Sequence, residues 1–126
     1  MEFSIGNKMN KFLEKLNEFS GKIKSRGSFG NKTTTVESTS TYYGTADEFY
    51  IGVSSDKATT VYLPADAADG RIIIIKAEMK PPLGSRKVNI LTTDGSTIDG
   101  YTDACITVSH GSKTLIRNRN NWFIIS

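Results

Sequence analysis

Residues 70–77 are Gly-Arg-Ile-Ile-Ile-Ile-Lys-Ala, and the four consecutive isoleucines decide the fold class. β-Branched residues favour strands, and successive side chains of a strand point to opposite faces. The strand is therefore apolar on both faces, whereas one face of a small antiparallel sheet normally meets water. Two interpretations follow: a central strand between two layers of one chain, or a strand whose outer face is covered by neighbouring subunits.

Further short runs of β-branched and aromatic residues lie on either side of this stretch, separated by turn signals such as Asp69-Gly70 and Asp99-Gly100. They predict strands at 48–53, 59–63, 71–77, 87–92, 104–109, 113–117 and 121–125. We expect a mostly β fold with one short N-terminal helix, either an antiparallel β-sandwich or a β-rich trimeric fibre-head domain. Residues 48–126 form the predicted β-domain. Its predicted core residues are Leu63, Ile72, Ile74, Ile90, Ile106, Leu115, Trp122 and Ile124.

Residues 1–27 are predicted to form an amphipathic helical arm, and residues 28–47 a linker or edge segment. Apolar residues recur in the arm at spacings of 3, 4, 3 and 4, the pattern of a coiled-coil seam. They are Met9, Phe12, Leu16, Phe19 and Ile23, which we call the arm stripe. A helix this short is marginal by itself, so the arm stripe needs a partner: its own body, a second copy or another protein.

The formal net charge of +3 is unevenly distributed. Residues 1–32 carry seven Lys or Arg and three Glu, a net charge of +4, and residues 33–126 carry nine and ten, a net charge of −1. A basic arm of this kind can contact nucleic acid, an anionic membrane or an acidic protein, or it can simply be solvated. No apolar run approaches the roughly 20 residues that span a bilayer, and the N-terminus has no signal-peptide core.

The residues that carry chemistry are sparse. The one histidine, His110, lies in a Ser-His-Gly turn context, and one Cys and one His are too few for a zinc site. Asp94, Asp99 and Asp103 do not match the spacing of a calcium loop, and Asp-Gly is the usual signature of a tight hairpin. We therefore expect no enzyme activity, no metal and no cofactor. The single Cys105 excludes an internal disulfide, which fits a reducing compartment.

A ligand surface remains an alternative. Arg117 and Arg119 flank the turn before Trp122, and such a basic and aromatic cluster can stack on a sugar or a base. The competing interpretation places Trp122 in the core. Tyr42, Tyr43 and Tyr101 are further candidate stacking platforms for a host glycan.

The order of features over residues 61–126 resembles a known group of proteins. The matching pieces are Val61-Tyr62-Leu63-Pro64-Ala65, Gly70–Lys76, Val88-Asn89-Ile90, Thr97-Ile98-Asp99-Gly100, Gly111-Ser112, Leu115-Ile116 and Asn121–Ile125. This half of the chain resembles the small C-terminal β-domains of viral and phage fibre, spike and tail proteins. The resemblance implies a homotrimeric β-rich head or stalk on a virion, made in the host cytoplasm and attached to other virion proteins through its N-terminal segment.

We therefore expect a viral structural protein, a capsid fibre, spike or cement component, that assembles with itself and is anchored by its arm. The alternatives are a carbohydrate-binding β-module and, less favoured, a nucleic-acid-associated protein that uses the basic arm.

Overall fold

The computed structural model describes residues 31–126, which are mostly β and contain nine strands in two mixed sheets and no helix. The strands are β1 (Lys32–Val36), β2 (Thr41–Tyr43), β3 (Glu48–Val53), β4 (Thr59–Tyr62), β5 (Ile72–Ala77), β6 (Val88–Leu91), β7 (Asp103–Ile106), β8 (Ser112–Asn118) and β9 (Asn121–Ile124). The predicted arm, including Met9, Phe12, Leu16, Phe19 and Ile23, lies outside the described residues.

The first six strands alternate between the two sheets, so the chain advances like a coil. The five-stranded sheet has the order β1-β3-β5-β8-β9, and the four-stranded sheet the order β2-β4-β6-β7. Strands β1, β3 and β5 are parallel, and so are β2, β4 and β6, because each returns to its sheet after one strand in the other. The last three strands add antiparallel pairs. The prediction of an antiparallel fold was therefore wrong for four of the seven strand pairs.

The segment predicted as a linker or edge supplies one edge strand to each sheet. Strand β1 pairs with β3, and β2 pairs with β4. The threonine run 33–35 forms most of β1, since β-branched threonines fit a strand as well as a loop.

The buried side chains of both sheets form one hydrophobic core. The structure places Leu63, Ile90, Ile106, Leu115 and Trp122 in it. The other three predicted core residues need correction: Ile72 and Ile74 are half-buried, and Ile124 is half-buried and packs against the core.

The correction in β5 is one of phase. Ile73, Ile75 and Ala77 are fully buried, whereas Ile72, Ile74 and Lys76 alternate with them on the opposite face. Four isoleucines in a row give no indication of which pair points inward, because both phases are equally apolar.

Two tight turns position the C-terminal half. Asp99 and Gly100 both adopt positive φ (51° and 84°) between the bridged residues Ile98 and Tyr101. Arg119 and Asn120 do the same (53° and 63°) between β8 and β9. Positive φ at both central residues is the geometry of the two-residue hairpin that follows the right-handed twist of paired strands.

Candidate binding surfaces

The face of the five-stranded sheet that points away from the core carries two rows of apolar side chains. Ile72, Ile116 and Phe123 are in register across β5, β8 and β9. In the second row Tyr50 pairs with Ile74, Ile74 with Thr114, and the Ile125 amide donates to the Thr114 carbonyl. We call Tyr50, Ile72, Ile74, Ile116, Phe123 and Ile125 the outer apolar face. Phe123 is 39% exposed and Ile125 57% exposed, so this face presents large apolar groups to solvent.

Glu78 borders the outer apolar face on the β3 side. The Tyr50 hydroxyl donates to the Glu78 carboxylate. Burial, this hydrogen bond and the charge of Glu78 raise the pKa of Tyr50 to about 12, so the phenol stays protonated as the donor. A Cβ at Gly52 would lie 2.5 Å from the Glu78 carboxyl carbon, so the carboxylate occupies the space that a side chain on β3 would take.

A second feature is a buried ion pair beneath a polar pocket. Arg117 Nη1 lies 3.0 Å from Asp94 Oδ2, and both side chains are more than nine-tenths buried. Asp94 also accepts hydrogen bonds from the Asp66 amide (2.8 Å) and from the amide and hydroxyl of Ser96 (3.1 and 2.5 Å). A pocket of about 520 Å³ is lined by Asp66, Asp94, Ser96, Arg117 and Asn121, among others. Because both Asp94 oxygens are used internally, the pair ties the 94–96 turn to β8.

Burial alone raises the pKa of Asp94, but the hydrogen bonds from Ser96, Asp66 and Arg117 outweigh it, so the pKa of Asp94 lies well below its usual range. A carboxyl whose pKa is lower in the folded state adds stability above its unfolded pKa of about 3.9 and loses it as pH falls toward the folded value.

Asp94→Asn is therefore expected to lower the free energy of unfolding at pH 7, by on the order of 2–3 kcal/mol. The difference from wild type should shrink as pH falls below about 4. Urea unfolding at a series of pH values measures this. Asp56→Asn, at an exposed aspartate, is the control. A deficit that stays constant from pH 7 to the acid limit would contradict the assigned role of the Asp94 charge.

Glu48 and Arg71 form a second group of buried charges, which the sequence did not reveal. Both are fully buried. Glu48 accepts hydrogen bonds from the Tyr42 hydroxyl and the Thr45 amide, the latter at 2.8 Å. Arg71 donates to the carbonyls of Ile72 (2.9 Å) and Thr45 (3.0 Å). Burial lowers the pKa of Arg71, and the negative charges of Glu48 and Asp47 oppose that shift.

The five residues of the predicted ligand surface do not share one setting. Arg117 is buried, which corrects its assignment to a surface. Arg119 is exposed at the turn between β8 and β9, and Tyr101 is exposed after the Asp99-Gly100 turn. Tyr43 is exposed and stacks on Tyr62, with ring centroids 4.7 Å apart. Tyr42 is half-buried, and burial together with its hydrogen bond to Glu48 raises its pKa.

Trp122 is fully buried, with the Arg117 guanidinium 5.7 Å from its ring centroid. It therefore cannot serve as an exposed stacking platform, so a glycan interpretation retains only Tyr43, Tyr101 and Arg119 on the surface.

His110 lies in a turn. It has a positive φ of 59°, and its carbonyl accepts a hydrogen bond from Lys76 Nζ (2.9 Å).

Between Asn31 and Ser126 there is no group of three or more His, Cys, Asp or Glu side chains arranged to hold a metal ion. The same part of the chain holds no helix long and apolar enough to cross a membrane.

Comparison with known proteins identifies no family. No family model and no curated protein sequence matches the chain. Among solved structures, the chain is similar to one described as "Structure of a chaperone-substrate complex", with 15% sequence identity and a TM-score of 0.48. The match covers 77% of this chain and 18% of the other, so this chain spans less than a fifth of that protein. A similarity of this size carries no functional argument.

Proposed function

We propose that this chain is a structural module of a virion, a capsid fibre, spike or cement component, which assembles as a homotrimer and is anchored through its N-terminal arm. The observation that carries the proposal is the outer apolar face. Six apolar or aromatic side chains lie on the outer side of four neighbouring strands, and two of them, Phe123 and Ile125, are exposed. Monomeric soluble proteins rarely expose large contiguous apolar patches.

The two sheets are proposed to pack face to face as a β-sandwich. Support comes from the core, in which Ile75 and Leu115 of one sheet and Val61 and Ile90 of the other belong to a single cluster. In such a sandwich the outer apolar face lies opposite the core, where only another subunit or another segment can cover it.

The sequence resemblance over residues 61–126 supports the virion setting, since it implies trimeric heads attached through N-terminal segments. The charge distribution fits the same arrangement: a basic arm precedes a nearly neutral body, and a basic segment can bind an acidic neighbouring protein.

Leu16→Asp tests the assembly part of this proposal in the full-length chain. It places a charge in the middle of the arm stripe, and a buried unpaired charge costs several kcal/mol. We expect loss of the oligomer by light scattering, with the β signal in circular dichroism unchanged. Asn17→Asp adds the same charge beside the arm stripe and should leave the oligomer intact. If the body unfolds together with the oligomer, the arm belongs to the core and its anchoring role is wrong.

A further inference from the structure

Two apolar features of this chain call for a partner. One is the outer apolar face, in which Phe123 and Ile125 are exposed and the other four side chains are half-buried among the described residues. The other is the arm stripe, which the sequence predicts on a helix too short to be stable alone. Each surface is apolar and could cover the other, because burial of apolar area is favourable whichever chain supplies it.

The dimensions of the two surfaces agree. From Met9 to Ile23 a helix rises about 21 Å. The outer apolar face covers four neighbouring strands, β3, β5, β8 and β9, which span about 14 Å between the first and last strand axes. A helix that lies across the strands can therefore place its apolar residues over all four.

The tether is long enough to deliver the arm stripe. The described chain starts at Asn31, whose amide donates to the Asp47 carbonyl (3.0 Å) beside β1. Strand β1 is the edge strand opposite β9, and β8 lies three strand spacings away, about 14 Å. Residues 24–30 can extend to about 24 Å, so the arm stripe can reach the outer apolar face of its own chain or of an adjoining one.

We infer that the arm stripe of each copy covers the outer apolar face of a neighbouring copy. This rests on the proposed homo-oligomer, which must bury apolar area between its chains. An arm that stayed on its own chain would bury both surfaces within that chain, and neither would hold the oligomer together. Exchange buries the same two surfaces between chains. Exchange of an identical segment is a low-cost route to an oligomer, and three such head-to-tail contacts close into a ring when copies are related by a threefold rotation.

The test is site-directed cross-linking in the full-length chain, with the natural exposed thiol removed by Cys105→Ser. Leu16→Cys is combined with Ile116→Cys in the outer apolar face. A short bis-maleimide bridges thiols that are too far apart for a direct disulfide. The control combines Leu16→Cys with Tyr43→Cys, an exposed position in the other sheet.

We expect the Leu16 and Ile116 pair to yield a covalent three-chain band on a denaturing gel and the control pair to yield none. Cross-linking confined to one chain would overturn the exchange. So would a two-chain product from Leu16→Cys alone, which would mean that the arms pair with each other. Light scattering of the same variants before cross-linking separates the two proposals: a trimer that forms no bridge to Ile116 overturns this inference alone, and a monomer overturns the proposed assembly as well.

Discussion

Trp122→Ala is expected to destabilise the protein by about 3–5 kcal/mol, the usual cost of truncating a large buried aromatic side chain to alanine. Trp122 is fully buried in the core, on the face of β9 that also carries Ile124. Its indole Nε1 has no hydrogen-bond partner within residues 31–126, so the loss is one of packing. For a domain of this size we expect the melting temperature to fall by on the order of 10–20 °C.

Phe123 provides the matched control, since it is the next residue on the same strand and points to the other face. It is 39% exposed, so Phe123→Ala should change the melting temperature little in the dissociated protein while weakening assembly. Thermal melts of the two variants at low protein concentration compare the faces directly. Equal losses of stability, or an unchanged melting temperature for Trp122→Ala, would mean that the inward face of β9 has been assigned wrongly.

Arg71→Met should produce a loss of similar size, about 3–5 kcal/mol, because it leaves the buried Glu48 carboxylate without its neighbouring positive charge. The substitution also removes the donors to the carbonyls of Ile72 and Thr45. Arg86→Met is the control: that side chain is half-buried and also donates to backbone carbonyls, those of Lys80 and Pro82. Urea unfolding of both variants gives the comparison.

A second substitution separates charge from packing at this site. If the cost comes from the uncompensated carboxylate, Glu48→Gln added to Arg71→Met should recover part of the stability, because a neutral amide is cheaper to bury than a charge. Strictly additive losses in the double variant would show instead that Glu48 and Arg71 act independently.

The sequence predicted the elements better than their pairing. The run Ile72–Ile75 and the turn residues identify strands locally, and β3 has the predicted bounds, Glu48–Val53. The parallel pairing of β1, β3 and β5 depends on which distant strand each one meets. Periodicity does not encode that, because parallel and antiparallel strands share the same alternation. For the same reason, only the packing of β5 against its neighbouring strands shows which of its isoleucines face the core.

The burial of the charged side chains could not be predicted from the sequence, for a different physical reason. Arg117 beside Trp122 looks like an exposed binding cluster, since arginine is rarely fully buried unless it is paired. Its partner Asp94 lies 23 residues earlier. Asp94 belongs to an Asp-Gly pair, which indicates a turn and gives no sign that the carboxylate forms a buried ion pair. Arg71 and Glu48 are likewise brought together only by the fold. The isoleucines of β5 did point to the outer apolar face, but the contributions of Ile116, Phe123 and Ile125 required the strand register.

The solution mass of the intact wild-type protein tests the central claim most directly. If the outer apolar face and the arm stripe serve assembly, light scattering at high micromolar concentration should give a mass near 41 kDa, three times the chain mass of 13.8 kDa. That mass should fall toward a single chain in Leu16→Asp and stay unchanged in Asn17→Asp. A wild-type mass of 13.8 kDa at that concentration would contradict the account, since neither surface would then hold copies of the chain together.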